Sequence, residues 1–97
     1  MQVTKKNGKV VLFDDEKVIC SILKANAEVP GEAMERKTAK MYAAEVFDRL
    51  TDRSEIITTE EVRACVAEVL REKGRPQTAE HYLQYKKYYP SYQLQNH

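Results

Sequence analysis

Asn7-Gly8 lies inside Lys5-Lys6-Asn7-Gly8-Lys9, between Val3-Thr4 and the apolar run Val10-Val11-Leu12-Phe13. Few dipeptides constrain a chain more. A type I′ hairpin turn needs positive φ at both central residues, and Asn and Gly tolerate it best. The opening segment therefore reads as a short β-hairpin with a two-residue turn and a basic rim. Asp14-Asp15-Glu16-Lys17 follows at once and starts a helix, with Asp14 as N-cap and Asp15 and Glu16 favourable in the first turn.

Beyond the hairpin the apolar residues fall at helical spacing. Val18, Ile19, Ile22 and Leu23 make one buried stripe before Pro30-Gly31 interrupts in a loop. Ala39, Ala43, Val46, Phe47 and Leu50 form the inner face of a second helix, which polar Thr51-Asp52-Arg53-Ser54 should end in a turn. Glu55-Ile56-Ile57-Thr58 is short and β-branched and reads as a third strand, able to pair with a hairpin that would be marginal alone. Thr58 and Glu61 can make a capping box for a third helix, although Thr59 could be the cap instead. That helix buries Val62, Cys65, Val66, Val69 and Leu70 and stops at Lys73-Gly74. Pro76 suits the first turn of a fourth helix with Ala79, Tyr82, Leu83 and Tyr85 inward. The reading is an α+β, mostly helical domain: a four-helix cluster capped by a small three-stranded β-sheet. It spans residues 1–89, and 90–97 read as a loosely held tail.

Three stretches carry a resemblance. Val3-Thr4-Lys5-Lys6-Asn7-Gly8, the apolar Val11 to Phe13 and Glu16-Lys17-Val18 resemble the start of the ATP-cone domain, the regulatory nucleotide-binding module of ribonucleotide reductases and of a related transcriptional repressor. That family opens V-x-K-R-D-G, then an apolar strand and a D-x-x-K-[IV] helix start. Here Lys6 stands for the Arg and Asn7 for the Asp. Ile57-Thr58-Thr59-Glu60-Glu61-Val62-Arg63 is similar to its second motif, and Ala79-x-x-Tyr82-x-x-Tyr85-Lys86-Lys87 to its closing A-x-x-Y-x-x-Y-[RK]. The order and spread of these landmarks cover nearly the whole chain.

Lys17 places a cation at the positive end of a helix dipole, an arrangement costing roughly 0.3–1 kcal/mol when exposed. Either the acidic neighbours neutralise it, or a phosphate sits there on Lys17 and the backbone N–H groups. The resemblance favours the phosphate and places Val18 beside it. It also implies that Val3, Lys5 and Lys6 line the nucleotide, the strand backbone against the base and the second basic residue near the phosphates. On residue chemistry alone Lys5 and Lys6 alternate across a strand and make a solvated rim. Lysine at position 6 keeps the charge of the family's arginine and loses its planar fork. Thr59 and Arg63, four residues apart on one helix face, match a threonine and a polar or basic residue that the family sets around the nucleotide. Lys87 is nominated for phosphate in the same way, although lysine late in a helix is welcome for dipole reasons alone.

Other chemistries find little footing. The net charge of +1 is low for a nucleic-acid binder. Tyr82, Tyr85, Tyr88, Tyr89 and Tyr92 beside lysines keep open a competing reading, a small helical interaction or single-stranded nucleic-acid-binding protein that has lost its nucleotide. Cys20 and Cys65 lack metal-ligand spacing and read as small buried residues on helix faces, so the repressor's four-cysteine zinc ribbon is absent and no metal site is expected. His81 and His97 have no nucleophile in motif context, and no phosphate-binding P-loop or reductase catalytic domain is present. No apolar run reaches membrane-span length and the polar N-terminus is no signal peptide, so the cytoplasm is expected. The expected function is non-catalytic: binding ATP or dATP, with or without Mg2+, and coupling nucleotide level to self-association or to a ribonucleotide reductase subunit.

Overall fold

Strand β1 (Gln2–Thr4) is the centre of the sheet, antiparallel to β2 (Val10–Leu12) and parallel to β3 (Ile56–Thr58), in the order β2-β1-β3. The structure, a computed structural model, describes residues 1–84 of the 97. The expectations for Tyr85, Lys86, Lys87, Tyr88, Tyr89, Tyr92 and the tail 90–97 lie outside the described residues. Directly paired residues share a sheet face, so Val3, Val11 and Ile57 form one row. Val3 and Ile57 are buried, yet Val11 is 39% exposed. The helices therefore cover this face under β1 and β3 and leave it partly open under β2.

The hairpin turn differs from the expected two-residue form. Gly8 N–H donates to the Lys5 carbonyl (2.9 Å) and Lys5 N–H to the Lys9 carbonyl (2.8 Å). Of the turn residues only Gly8 has positive φ, at 85°. The loop is a turn centred on Lys6 and Asn7 followed by a left-handed glycine, the common three-residue hairpin, which needs one such residue instead of two. Asn7 stays at negative φ with its side-chain oxygen accepting the Lys9 N–H at 3.0 Å. Lys5 and Lys6 thus belong to the turn and do not alternate along a strand.

Helix α1 (Asp15–Asn26) is capped as expected, Asp14 accepting the N–H groups of Glu16 and Lys17. Helix α2 (Arg36–Arg53) runs on through Thr51, Asp52 and Arg53, because the Leu50 carbonyl still finds the Ser54 N–H. At the head of α3 (Thr59–Glu72) Thr58 is the N-cap, in a complete capping box with Glu61. Its end is a Schellman closure: Arg75 N–H donates to the Leu70 carbonyl, Gly74 N–H to that of Arg71, and Gly74 takes φ 81°. Helix α4 occupies 76–84 of the described residues, with Ala79 and Tyr82 buried and Leu83 packed against the core. Two side chains expected inside are outside. Cys20 is exposed on α1, on the opposite side from Val18, Ile19 and Ile22, while Cys65 is buried. Phe47 is 38% exposed and leans on Phe13, ring centroids 5.4 Å apart, because α2 turns that flank toward the sheet edge.

A polar joint that sequence spacing did not reveal ties α1 to α4. Asn26, almost fully buried, donates to the Glu32 carbonyl (2.9 Å) and the Thr78 hydroxyl (3.0 Å) and accepts the Met34 N–H (2.9 Å). The Glu32 carboxylate caps α4 from outside the helix, accepting the N–H groups of Gln77 (2.9 Å) and Thr78 (2.7 Å) and the Thr78 hydroxyl (2.8 Å). Burial opposes ionisation of Glu32, but these hydrogen bonds and the charge of Arg75 outweigh it and hold the carboxyl below its ordinary range.

Asn26→Ala strands buried partners and should cost about 1–3 kcal/mol, read from urea unfolding. For Glu32, a carboxyl depressed in the folded state contributes stability that is complete above its unfolded pKa and is lost as pH falls through the folded one. Melting temperature should therefore drop as the medium is acidified below the ordinary carboxylate range. Glu32→Gln should melt lower at neutral pH and show a shallower acid slope than the parent.

Candidate functional site

The hairpin turn is fastened over the start of α3. The Thr59 hydroxyl donates to the Thr4 carbonyl at 3.1 Å, one residue before the lysine pair. Lys6 Nζ lies 3.9 Å from Glu60 Oε2, and the other oxygen of that carboxylate accepts from Arg63 Nη1 at 2.8 Å. Arg63 Nη2 reaches the Leu83 carbonyl of α4, a long contact of 3.4 Å. Lys6, Thr59 and Arg63 are thus brought to one place, where the turn, α3 and α4 meet. Glu60 joins them; the reading of the sequence passed over it, although its three-residue spacing to Arg63 was the available signal.

Arg63 is under-used here. Its side chain is only 20% exposed, and Nε is shielded from solvent without a hydrogen-bond partner among the described residues. An unsatisfied buried donor costs about 1–3 kcal/mol, so an acceptor supplied from outside would relieve a standing penalty. Tyr82 is its neighbour: burial pushes the phenol well above its ordinary pKa, and the charge of Arg63 works partly against that.

On α1 the geometry divides the earlier candidates. Val18 is buried in the same core cluster as Val3. Val3 sits in the central strand, flanked along both edges, with its side chain 6% exposed. Lys17 lies on the opposite flank from the core, in a shallow depression of about 150 Å3 lined with Glu16, Cys20, Ser21 and Lys24. The first backbone donors of α1 are not vacant, since Asp14 Oδ1 takes the N–H groups of Glu16 (3.0 Å) and Lys17 (3.4 Å). An anion at that helix end would therefore rely on the Lys17 ammonium and meet Asp14. Among the described residues Lys5, Lys9 and Lys17 form no ion pair, and no contact joins Lys17 to Lys6 or Arg63. Glu16 is occupied with Arg36. Lys87 lies outside the described residues.

These features fit a ligand with an anionic end and an apolar end. Unneutralised lysines and an under-used guanidinium offer charge, and the partly open face under β2, with Val11, offers apolar surface. Among the described residues no group of three or more His, Cys, Asp or Glu side chains is arranged to hold a metal ion, and no helix is long and apolar enough to cross a membrane. A sequence profile of the ATP cone domain matches residues 1–90. The chain belongs to the ATP-cone family. An ATP-cone is a nucleotide-binding regulatory module, not a catalytic one, and the match extends over the hairpin, all of the sheet and every helix described. A search of curated proteins found no match to this chain.

Proposed function

We propose that this ATP-cone binds ATP or dATP, with or without Mg2+, in the cytoplasm and turns occupancy into a change of association, either with itself or with a ribonucleotide reductase subunit. The family match over 1–90 carries this reading. The meeting of Lys6, Thr59 and Arg63 under the turn supports the placing of the ligand. In this proposal Lys5, Lys6, Lys17, Arg63 and Lys87 serve the phosphates, Thr59 steadies the turn, and Val3 and Val18 back the site from the core. A module without chemistry of its own acts through contacts. A ligand bridging the hairpin to the helix starts changes which surface those elements present.

The domain should bind adenine nucleotides in preference to guanine nucleotides and leave them unhydrolysed. At a hundred-fold excess over Kd, occupancy should raise stability by about 2.7 kcal/mol, visible as a thermal shift with ATP or dATP and a smaller one with GTP. A well-folded sample that millimolar ATP and dATP fail to shift would end the sensor reading.

Lys17→Ala should weaken ATP binding with little change in the melt of the free domain. Losing a charge-assisted hydrogen bond costs about 1.5–3 kcal/mol, or roughly ten- to a hundred-fold in affinity. Calorimetric titration measures it; unchanged affinity would return Lys17 to the status of a solvated first-turn residue.

A further inference from the structure

Glu60 is the only carboxylate among the described residues that pairs with the charged group of a candidate phosphate-binding side chain, and it pairs with two of them. One oxygen accepts from Arg63 Nη1 at 2.8 Å and the other lies 3.9 Å from Lys6 Nζ. It takes no part in capping α3, because the capping box is made by Thr58 and Glu61, and adds only a first-turn charge favourable to the helix dipole. Glu60 is 57% exposed and Lys6 74% exposed, so both can return to water when the pair parts. Among the described residues the guanidinium it holds has unused capacity: Nη2 makes only the long contact to Leu83, and Nε has no partner.

We infer that Glu60 is an internal counter-ion, a carboxylate occupying Lys6 and Arg63 in the free domain that a polyphosphate must displace, and that it thereby sets the affinity for phosphorylated ligands. The inference rests on the nucleotide-binding reading above and adds a residue and a mechanism to it. A carboxylate and a phosphate cannot share these cations without repelling each other. Binding therefore breaks the Glu60 contacts first, and the cost of breaking them weakens every ligand whose phosphates use Lys6 and Arg63. A ligand without phosphate leaves Glu60 in place.

The test is calorimetric titration of ATP and of adenosine into the parent, Glu60→Gln, Glu60→Ser and Asp48→Asn. Asp48 is exposed on α2 and controls for the change in net charge. Both Glu60 variants should bind ATP roughly three- to ten-fold more tightly, as expected from releasing two charge pairs that share an exposed carboxylate. Their affinity for adenosine and the ATP affinity of Asp48→Asn should stay at the parental value, and the gain should shrink at high salt. Equal or weaker ATP binding by both Glu60 variants, with melts matching the parent, overturns the counter-ion role and leaves the nucleotide reading standing. An equal gain for adenosine also overturns it. A parent that binds no ATP overturns the nucleotide reading itself, and this inference with it.

Discussion

Val3 beside Ile57 is the contact on which the rest of the site depends. These residues come from opposite halves of the chain and pair in register between parallel β1 and β3, both buried. Burying side chains of this size contributes about 1.5–3 kcal/mol each, against a loop-closure cost that grows only slowly with length. Without the pair the hairpin would be a lone ribbon, marginal in water. With it, Thr4 is carried to the Thr59 hydroxyl and Lys6 to Glu60. The polar contacts are consequences of the apolar one. An exposed ion pair such as Lys6 with Glu60 contributes only about 0.2–1 kcal/mol, too little to hold a turn in place but small enough to exchange for a ligand.

This ordering of strengths bears on the proposed anion site in a chain of net charge +1. The overall field is close to neutral, so affinity has to come from where individual charges are set. Several cations are consumed. Arg49 is gripped by Glu45, Glu68 and Glu72 across α2 and α3, and Arg36 by Glu16. Around the turn charge is left over: Lys5 and Lys9 form no ion pair among the described residues, and Arg63 shares a single exposed carboxylate with Lys6.

Elements announced by local chemistry were legible in the sequence. Asp14 as a cap, the Thr58 and Glu61 box, the Gly74 stop and the inward stripes of α1 and α3 depend on residues within a turn of one another. Features decided by distant partners were not. Asn26, Glu32 and Thr78 look like ordinary polar residues until the fold brings α1 and α4 together. Cys20 has helical spacing to the core stripe, and only the packing of α1 shows that it lies outside. The hairpin shows the limit within a single turn. Asn7-Gly8 correctly announced a reversal, but one left-handed residue satisfied it, which moved Lys6 to the crown where it meets Glu60. For the site itself, motif spacing pointed to Thr59 and Arg63 but not to the carboxylate between them.

The joint that holds α4 is built differently from the contacts at the turn, and the difference bears on how such a domain can respond. At the base of α4, Asn26, Glu32 and Thr78 satisfy one another, and Asn26 and Thr78 are almost fully buried. Breaking into that network strands donors away from water, so this end behaves as a fixed post. Where α4 passes Arg63, the polar tie among the described residues is the long contact to the Leu83 carbonyl, beside an Arg63 Nε without a partner there. The described part of α4 is thus held by a polar network at its base and, beside Arg63, by the apolar packing of Tyr82 and Leu83. On the proposed function, a phosphate at Lys6 and Arg63 would meet α4 at this sparsely hydrogen-bonded contact and the turn above it, while the core pair of Val3 and Ile57 and the polar joint stay as they are. On that proposal the response is confined to the surface formed by the hairpin and the stretch of α4 beside Arg63, the part of a regulatory module that a partner can read.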